Sequence, residues 1–235
     1  MNQHHSIENI RLWTALITPF DQSGTIDFAS LARIARQQEA AGNGLLLLGS
    51  TGEGLALSSE QQFAIVNYVC QLELNVPLMV GVGGFQLGTQ VDWIKRCNQL
   101  PISAYLLGAP LYAKPGIQGQ KHWFESLLEA SEHPCMLYNV PSRSAVSLAP
   151  EMLVSLQSHH NCWALKEASG DIEQFLQYRE MCPDITLFSG EDALMPYLAT
   201  AGAQGLVSVA ANVWPAQTHL YVEQCLAGNT EALFP

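Results

Sequence analysis

The chain has 235 residues, 48% hydrophobic and only 13% charged, a balance that excludes disorder and lets a chain of this length bury a large core. Against 21 acidic side chains stand 10 basic ones, and the net charge of -11 repels phosphate backbones, so nucleic acid is set aside as a partner. No apolar run reaches the roughly 18 residues of a membrane span, and the opening MNQHHSIENIRLW lacks a basic-then-apolar signal, so neither a membrane nor a secretory route is expected.

Short apolar runs recur along the chain, and each reads as a strand buried on both faces. The first is Trp13–Thr18. Asp27-Phe28-Ala29-Ser30-Leu31 then opens a helix that Gly42 stops. The second run is Leu45–Leu48, followed by Ser58-Ser59-Glu60-Gln61, a capping-box opening with Ser58 three residues before Gln61. Further strands are read at Pro77–Gly81, Ala104–Gly108, Cys135–Tyr138 and Trp163–Lys166. A helix runs from Asp171 to Met181, a strand over Ile185–Ser189, a helix from Asp192 to Ala201, and a last strand over Leu206–Val209. Trp214–Ala227 reads as the eighth helix, stopped by Gly228-Asn229.

Eight strands alternating with helices imply a parallel sheet and point to a closed (β/α)8 TIM barrel over residues 1–228. A doubly wound open sheet is the alternative, since periodicity does not report closure. Thr230-Glu231-Ala232-Leu233 looks like a helix opening, so residues 229–235 read as the cut-short start of a C-terminal helical segment.

The six cysteines are far apart and form no CxxC, which predicts buried free thiols in a reducing cytoplasm. The seven histidines show no metal spacing; His4-His5 and His159-His160 sit in polar surroundings and are expected to be exposed. No metal site is therefore expected.

In a barrel of this kind, chemistry gathers where the strands end. Strand two leads into Gly49-Ser50-Thr51-Gly52-Glu53-Gly54, and strand four into Pro110-Leu111-Tyr112. Strand five leads into Tyr138-Asn139-Val140-Pro141-Ser142-Arg143, strand six into Lys166-Glu167-Ala168-Ser169-Gly170-Asp171, and strand seven into Ser189-Gly190-Glu191-Asp192. Lys166 puts an amine on a buried strand, where desolvation lowers its pKa and a neutral amine can attack a ketone. Its alternative use is an ion pair with a carboxylate, although Glu167, as the adjacent strand residue, faces the other way. The glycine-rich Gly49–Gly54 lacks a P-loop ending; it is either a plain turn or a place for two hydroxyls and backbone N–H groups beside a carboxylate. Arg143 can grip a carboxylate bidentately or sit in a surface salt bridge. Tyr138 is a polar tip on an apolar run, or simply a core tyrosine.

The stretches GSTGEG, YNVPSR, LKEASGD, FSGED and GLVSVAANV together resemble the dihydrodipicolinate synthase family, within the superfamily that includes N-acetylneuraminate lyase. The resemblance runs over about residues 10 to 228 and implies a (β/α)8 barrel with Schiff-base chemistry and no added cofactor. By this resemblance Lys166 forms the imine with pyruvate and Tyr138 shuttles protons at it. Ser50, where the family usually has threonine, bridges Tyr138 to Tyr112, which in the family reaches into a neighbouring subunit's site. Thr51 holds the pyruvate carboxylate, Arg143 binds the aldehyde's carboxylate, and Gly190 and Val207 line the site. Arg143 favours L-aspartate 4-semialdehyde as acceptor over the polyol substrates of the sugar-acid lyases. The implied product is 4-hydroxy-tetrahydrodipicolinate, on the route to diaminopimelate and lysine, made by a cytoplasmic dimer or tetramer.

Two departures from the family pattern stand out. Leu55, Ser59, Gln62, Phe85, Thr89 and Leu111 occupy the positions of the family's lysine-binding feedback site, with imidazoles and a carboxylate replaced, which predicts insensitivity to lysine. The family's C-terminal helical segment is also largely absent from this sequence. Two other functions compete: a different pyruvate-dependent aldolase or lyase, opposed by Arg143, and a non-catalytic keto-acid-binding barrel, opposed by Lys166 and the relay hydroxyls.

Overall fold

The eight apolar runs become eight parallel strands: β1 (Leu12–Ala15), β2 (Gly44–Leu47), β3 (Leu78–Val82), β4 (Ala104–Gly108), β5 (Cys135–Asn139), β6 (Cys162–Glu167), β7 (Thr186–Ser189) and β8 (Gly205–Ser208). The computed structural model describes residues 6–229 and Glu231. Each strand pairs with its sequence neighbours, and β8 returns to β1 with Leu12 opposite Leu206 and Trp13 opposite Val207. That pairing closes the barrel and rejects the open-sheet alternative. Closure leaves no backbone edge unpaired, which is why strands of four to six residues suffice.

Both strand faces are apolar because both are covered. Outward residues such as Leu45, Val80, Leu107, Leu137, Leu165 and Leu187 pack in one core with the helices. Inward residues form a second core: Trp13, Ala15, Leu46, Met79, Ala104, Leu106, Met136, Ala164, Phe188 and Val207. Bulk and absence of bulk alternate inside. A Cβ on Gly44 would lie 2.6 Å from the Trp13 ring, and one on Gly205 would lie 2.5 Å from the Phe188 ring. Those two glycines are the space that the two rings fill.

The helices are α1 (Phe28–Ala40), α2 (Ser59–Gln71), α3 (Leu87–Cys97), α4 (Ile117–Ala130), α5 (Pro141–Ser144), α6 (Pro150–Leu156), α7 (Ile172–Met181), α8 (Met195–Thr200) and α9 (Pro215–Leu226). The expected caps hold. Asp27 accepts from Ser30 N at 3.0 Å, and Ser58 and Gln61 complete a reciprocal capping box at 3.3 and 2.9 Å. Gly42 takes the left-handed backbone, φ 76°, that ends the α1 turn.

Several boundaries differ from the sequence reading. The first strand ends at Ala15 rather than Thr18, because Ile17 N leaves the sheet for the Asn212 side chain and Thr18 Oγ1 donates to Gly52 O at 2.6 Å. Asp192 opens a 3-10 turn over Asp192–Leu194 before α8 proper, and α3, α4, α5 and α6 stand where no helix bounds are expected from the sequence; α5 and α6 both start on proline. The helix opening expected at Thr230–Leu233 lies outside the described residues apart from Glu231. All six cysteines are free thiols, five of them buried and Cys70 half-buried. His160 is exposed and His159, half-buried, stacks on it with ring centroids 4.6 Å apart; His4-His5 lies outside the described residues. No helix among the described residues is long and apolar enough to cross a membrane.

Candidate active site

Lys166 sits on β6, opposite Tyr138 of β5 and Phe188 of β7. A bulge decides where it points. Cys162 pairs with Cys135 and Ala164 with Met136, so Trp163 is the extra residue. Trp163 and Ala164 both pack against the inner core, and alternation from Ala164 then carries Leu165 out and Lys166 in. The lysine is 6% exposed, and its Nζ lies 4.3 Å from the centroid of the Tyr138 ring. Burial draws its pKa down from 10.5 to about 8, against an upward pull from Glu191 and Asp192, with Arg143 adding to the fall. It forms no ion pair among the described residues. Glu167 points away, with its carboxylate accepting from Asn139 Nδ2 and Ser169 N, both at 2.6 Å.

Tyr138 is held in a mostly buried place, and burial raises its hydroxyl pKa; the Ser50 hydroxyl and the Arg143 charge act in the opposite direction. A cavity of about 380 Å³ opens above it, lined among others by Ser50, Glu53, Leu55, Leu111, Tyr138, Val140 and Arg143. Its wall is largely apolar, with hydroxyls and one guanidinium set into it, which suits a small polar substrate. Gly190 lies against the lysine stem: a Cβ there would meet Lys166 Cε at 2.9 Å and Ala168 Cβ at 2.5 Å. Its lack of a side chain gives the lysine room.

The expected residues do not all converge within one chain. Ser50, Tyr138 and Arg143 share the cavity wall, with Lys166 against Tyr138 and Gly190 behind the lysine. Thr51 is half-buried beside Ser50 and does not line the cavity. Val207 is fully buried in the inner core below the mouth. Tyr112 is 95% exposed, on a left-handed backbone of φ 67°, and stands outside the cavity. No hydrogen bond joins it to Ser50 among the described residues. Three carboxylates at strand ends have no role expected from the sequence. Glu53 lines the mouth, Glu191 acts on Lys166, and Asp192 accepts from the Ser208 hydroxyl and from Val209 N. Their positions after β2 and β7 were the available signal.

A second groove, of about 430 Å³, lies beside α3 and holds Leu55, Ser59, Gln62, Phe85 and Thr89. Leu111, the sixth position expected there, faces the mouth cavity instead. Asp92 and Arg96 also line the groove and were not foreseen.

The chain is similar to known proteins in sequence and in fold. A family model, the dihydrodipicolinate synthetase family, matches residues 8–233. The chain belongs to the dihydrodipicolinate synthetase family. A 4-hydroxy-tetrahydrodipicolinate synthase of Francisella philomiragia is 53% identical over 219 residues, 93% of this chain and 74% of that protein. Among solved structures, a dihydrodipicolinate synthase of Bacillus anthracis superposes with a TM-score of 0.91 at 31% identity, covering 96% of this chain and 78% of that one. The chloride-inhibited dihydrodipicolinate synthase of Acinetobacter baumannii, solved with pyruvate, gives a TM-score of 0.90 at 26% identity, covering 95% and 78%. In this family member the five motifs therefore stand at the barrel mouth, at the ends of β2, β5, β6, β7 and β8.

Proposed function

We propose that this chain is a Schiff-base 4-hydroxy-tetrahydrodipicolinate synthase, a lyase that condenses pyruvate with L-aspartate 4-semialdehyde. The observation that carries the reading is the buried Lys166 amine, its pKa lowered to about 8, against Tyr138 in a member of this family. Near neutrality a lowered pKa keeps a useful fraction of the amine uncharged. The neutral Nζ adds to the C2 carbonyl of pyruvate, and loss of water leaves the imine. The imine then accepts electrons from the methyl C–H, a proton leaves, and the resulting enamine carbon attacks the aldehyde.

Tyr138 and Ser50 carry protons at the imine, and Thr51 holds the pyruvate carboxylate with its hydroxyl and N–H. Tyr112 completes the relay from a second copy of the chain, which makes the working enzyme a homo-oligomer. Arg143, exposed at the rim, grips the carboxylate of the incoming aldehyde. Gly190 and Val207 shape the floor. Residues 1–228 make up the catalytic barrel, working in the cytoplasm.

The test is borohydride reduction in the presence of pyruvate, followed by mass spectrometry. Reduction of the imine leaves a secondary amine heavier by pyruvate less one oxygen. The expected result is one such adduct on the wild type and none on Lys166→Ala. Folded wild-type protein without an adduct would refute Schiff-base chemistry.

The groove beside α3 supports a second part of the proposal, insensitivity to lysine. Asp92 is the one carboxylate among its lining residues, and Arg96 stands in the same groove as a competing cation. Millimolar lysine is expected to leave the steady-state rate unchanged; substantial inhibition in a coupled assay would count against it.

A further inference from the structure

Directly behind the two site residues lies a second pair. Tyr138 is opposite Lys166 across the β5–β6 ladder, and the next pair along is Asn139 opposite Glu167. By strand alternation this pair points outward, away from the barrel interior. Asn139 is fully buried and Glu167 is 2% exposed. Every heteroatom of the two side chains is engaged. Asn139 Nδ2 donates to Glu167 Oε2 at 2.6 Å and to Gln174 Oε1 of α7 at 3.0 Å, and Asn139 Oδ1 accepts from Leu148 N at 3.0 Å. Glu167 Oε1 accepts from Ser169 N at 2.6 Å. The backbone is tied at the same level, with Ala168 N donating to Asn139 O at 2.9 Å and Gly190 N to Glu167 O at 2.6 Å.

A buried carboxylate is costly unless it secures something. None of these bonds reaches the cavity, since neither residue lines it. What they join are the ends of β5, β6 and β7, the loop before α6, and α7 with the turn before it. We propose that Asn139 and Glu167 are positioning residues, a polar clamp that holds the backbones under Tyr138 and Lys166 in register so that the amine and the phenol meet at one carbonyl. The inference rests on the Schiff-base reading above and adds to it the group that aligns the lysine. Loss of the clamp lets β6 shift against β5, and a displacement of about 1 Å in a reacting group lowers a rate roughly a hundredfold.

The experiment is single-turnover borohydride trapping with pyruvate on the full chain. It compares wild type, Glu167→Ala, Glu167→Gln, Asn139→Ala, the Asn139→Ala/Glu167→Ala double variant, and Gln38→Ala. Gln38 is a control of similar burial, bonded to Thr14 Oγ1 at 2.8 Å behind β1 and away from the lysine. Both clamp alanine variants are expected to trap pyruvate about tenfold or more slowly, and the double variant no more slowly than the slower single one. Glu167→Gln keeps one carbonyl oxygen and recovers part of the rate. Gln38→Ala loses stability but traps at the wild-type rate. Should Glu167→Ala not fold, Glu167→Gln decides, with several-fold slower trapping at a near-wild-type unfolding midpoint. Wild-type trapping in a folded Glu167 variant, or equal slowing in Gln38→Ala, overturns the clamp. A wild type that forms no adduct overturns the Schiff-base reading and the clamp with it.

Discussion

Burying an amine on the inner face of a strand works against stability, and pH reveals by how much. Lys166 has a folded-state pKa near 8 against an ordinary 10.5. Below about pH 8 the folded protein carries a buried ammonium and bears the full desolvation cost. Between about 8 and 10.5 the unfolded chain still holds the proton that the folded one has released, so stability rises with pH through that window. A shift of this size corresponds to about 3 kcal/mol. Lys166→Met is therefore expected to raise stability at pH 7 by up to about 3 kcal/mol. The gain should shrink as pH approaches 10 in urea unfolding; a constant gain from pH 7 to 10 would place its origin in packing rather than charge. On the Schiff-base reading proposed above, the same lysine is held for chemistry at the expense of the fold, a pattern common at active sites.

At the scale of the element, the bulge in β6 joins the inner core to the lysine. Trp163 is inserted without a partner across the ladder, and its ring meets Trp13 edge-on at 6.3 Å and Phe188 at 5.6 Å. These three rings, from β1, β6 and β7, pack inside the barrel, with Trp163 on the strand that carries Lys166. Trp163→Ala removes a half-buried aromatic and both ring contacts, and is expected to destabilise the protein by about 2–3 kcal/mol. A lower urea midpoint with unchanged secondary structure would show it; no change would mean that the rings contribute little. The cap at Ser58 was readable from its three-residue spacing to Gln61, and Asp27 and Asp171 as acidic helix openings, because a cap is satisfied within its own turn. The bulge was not readable, because its cause is the register with β5, which lies 27 residues away at Cys135.

For the whole molecule, the decisive side chain is the one that faces away. Tyr112 is almost wholly exposed, on a loop whose flanks are fixed by Leu111 N to Gly84 O at 2.8 Å and Ala113 N to Leu111 O at 2.7 Å. Its backbone is left-handed, a conformation uncommon for a residue other than glycine. With the homo-oligomer proposed above, mixing Lys166→Ala with Tyr112→Phe should restore activity. One site of each mixed pair then combines a wild-type lysine with a wild-type Tyr112 from the other chain. Turnover of the mixture well above that of either variant alone is the expected result. A mixture no better than its parts would place Tyr112 outside the relay.

The sequence by itself determined the strand–helix rhythm, the helix caps and the chemical types at the strand ends, since each depends on residues close along the chain. Apolar runs of four to six residues, a serine three places before a glutamine, and a lysine ending a buried strand are all local patterns. Closure of the barrel, the bulge at Trp163 and the inward aim of Lys166 were decided only by tertiary structure. So were the Asn139–Glu167 clamp and the outward place of Tyr112. Each depends on which strand pairs with which and in what register, and pairing between distant segments is set by the packing of the two cores rather than by any stretch of sequence read alone.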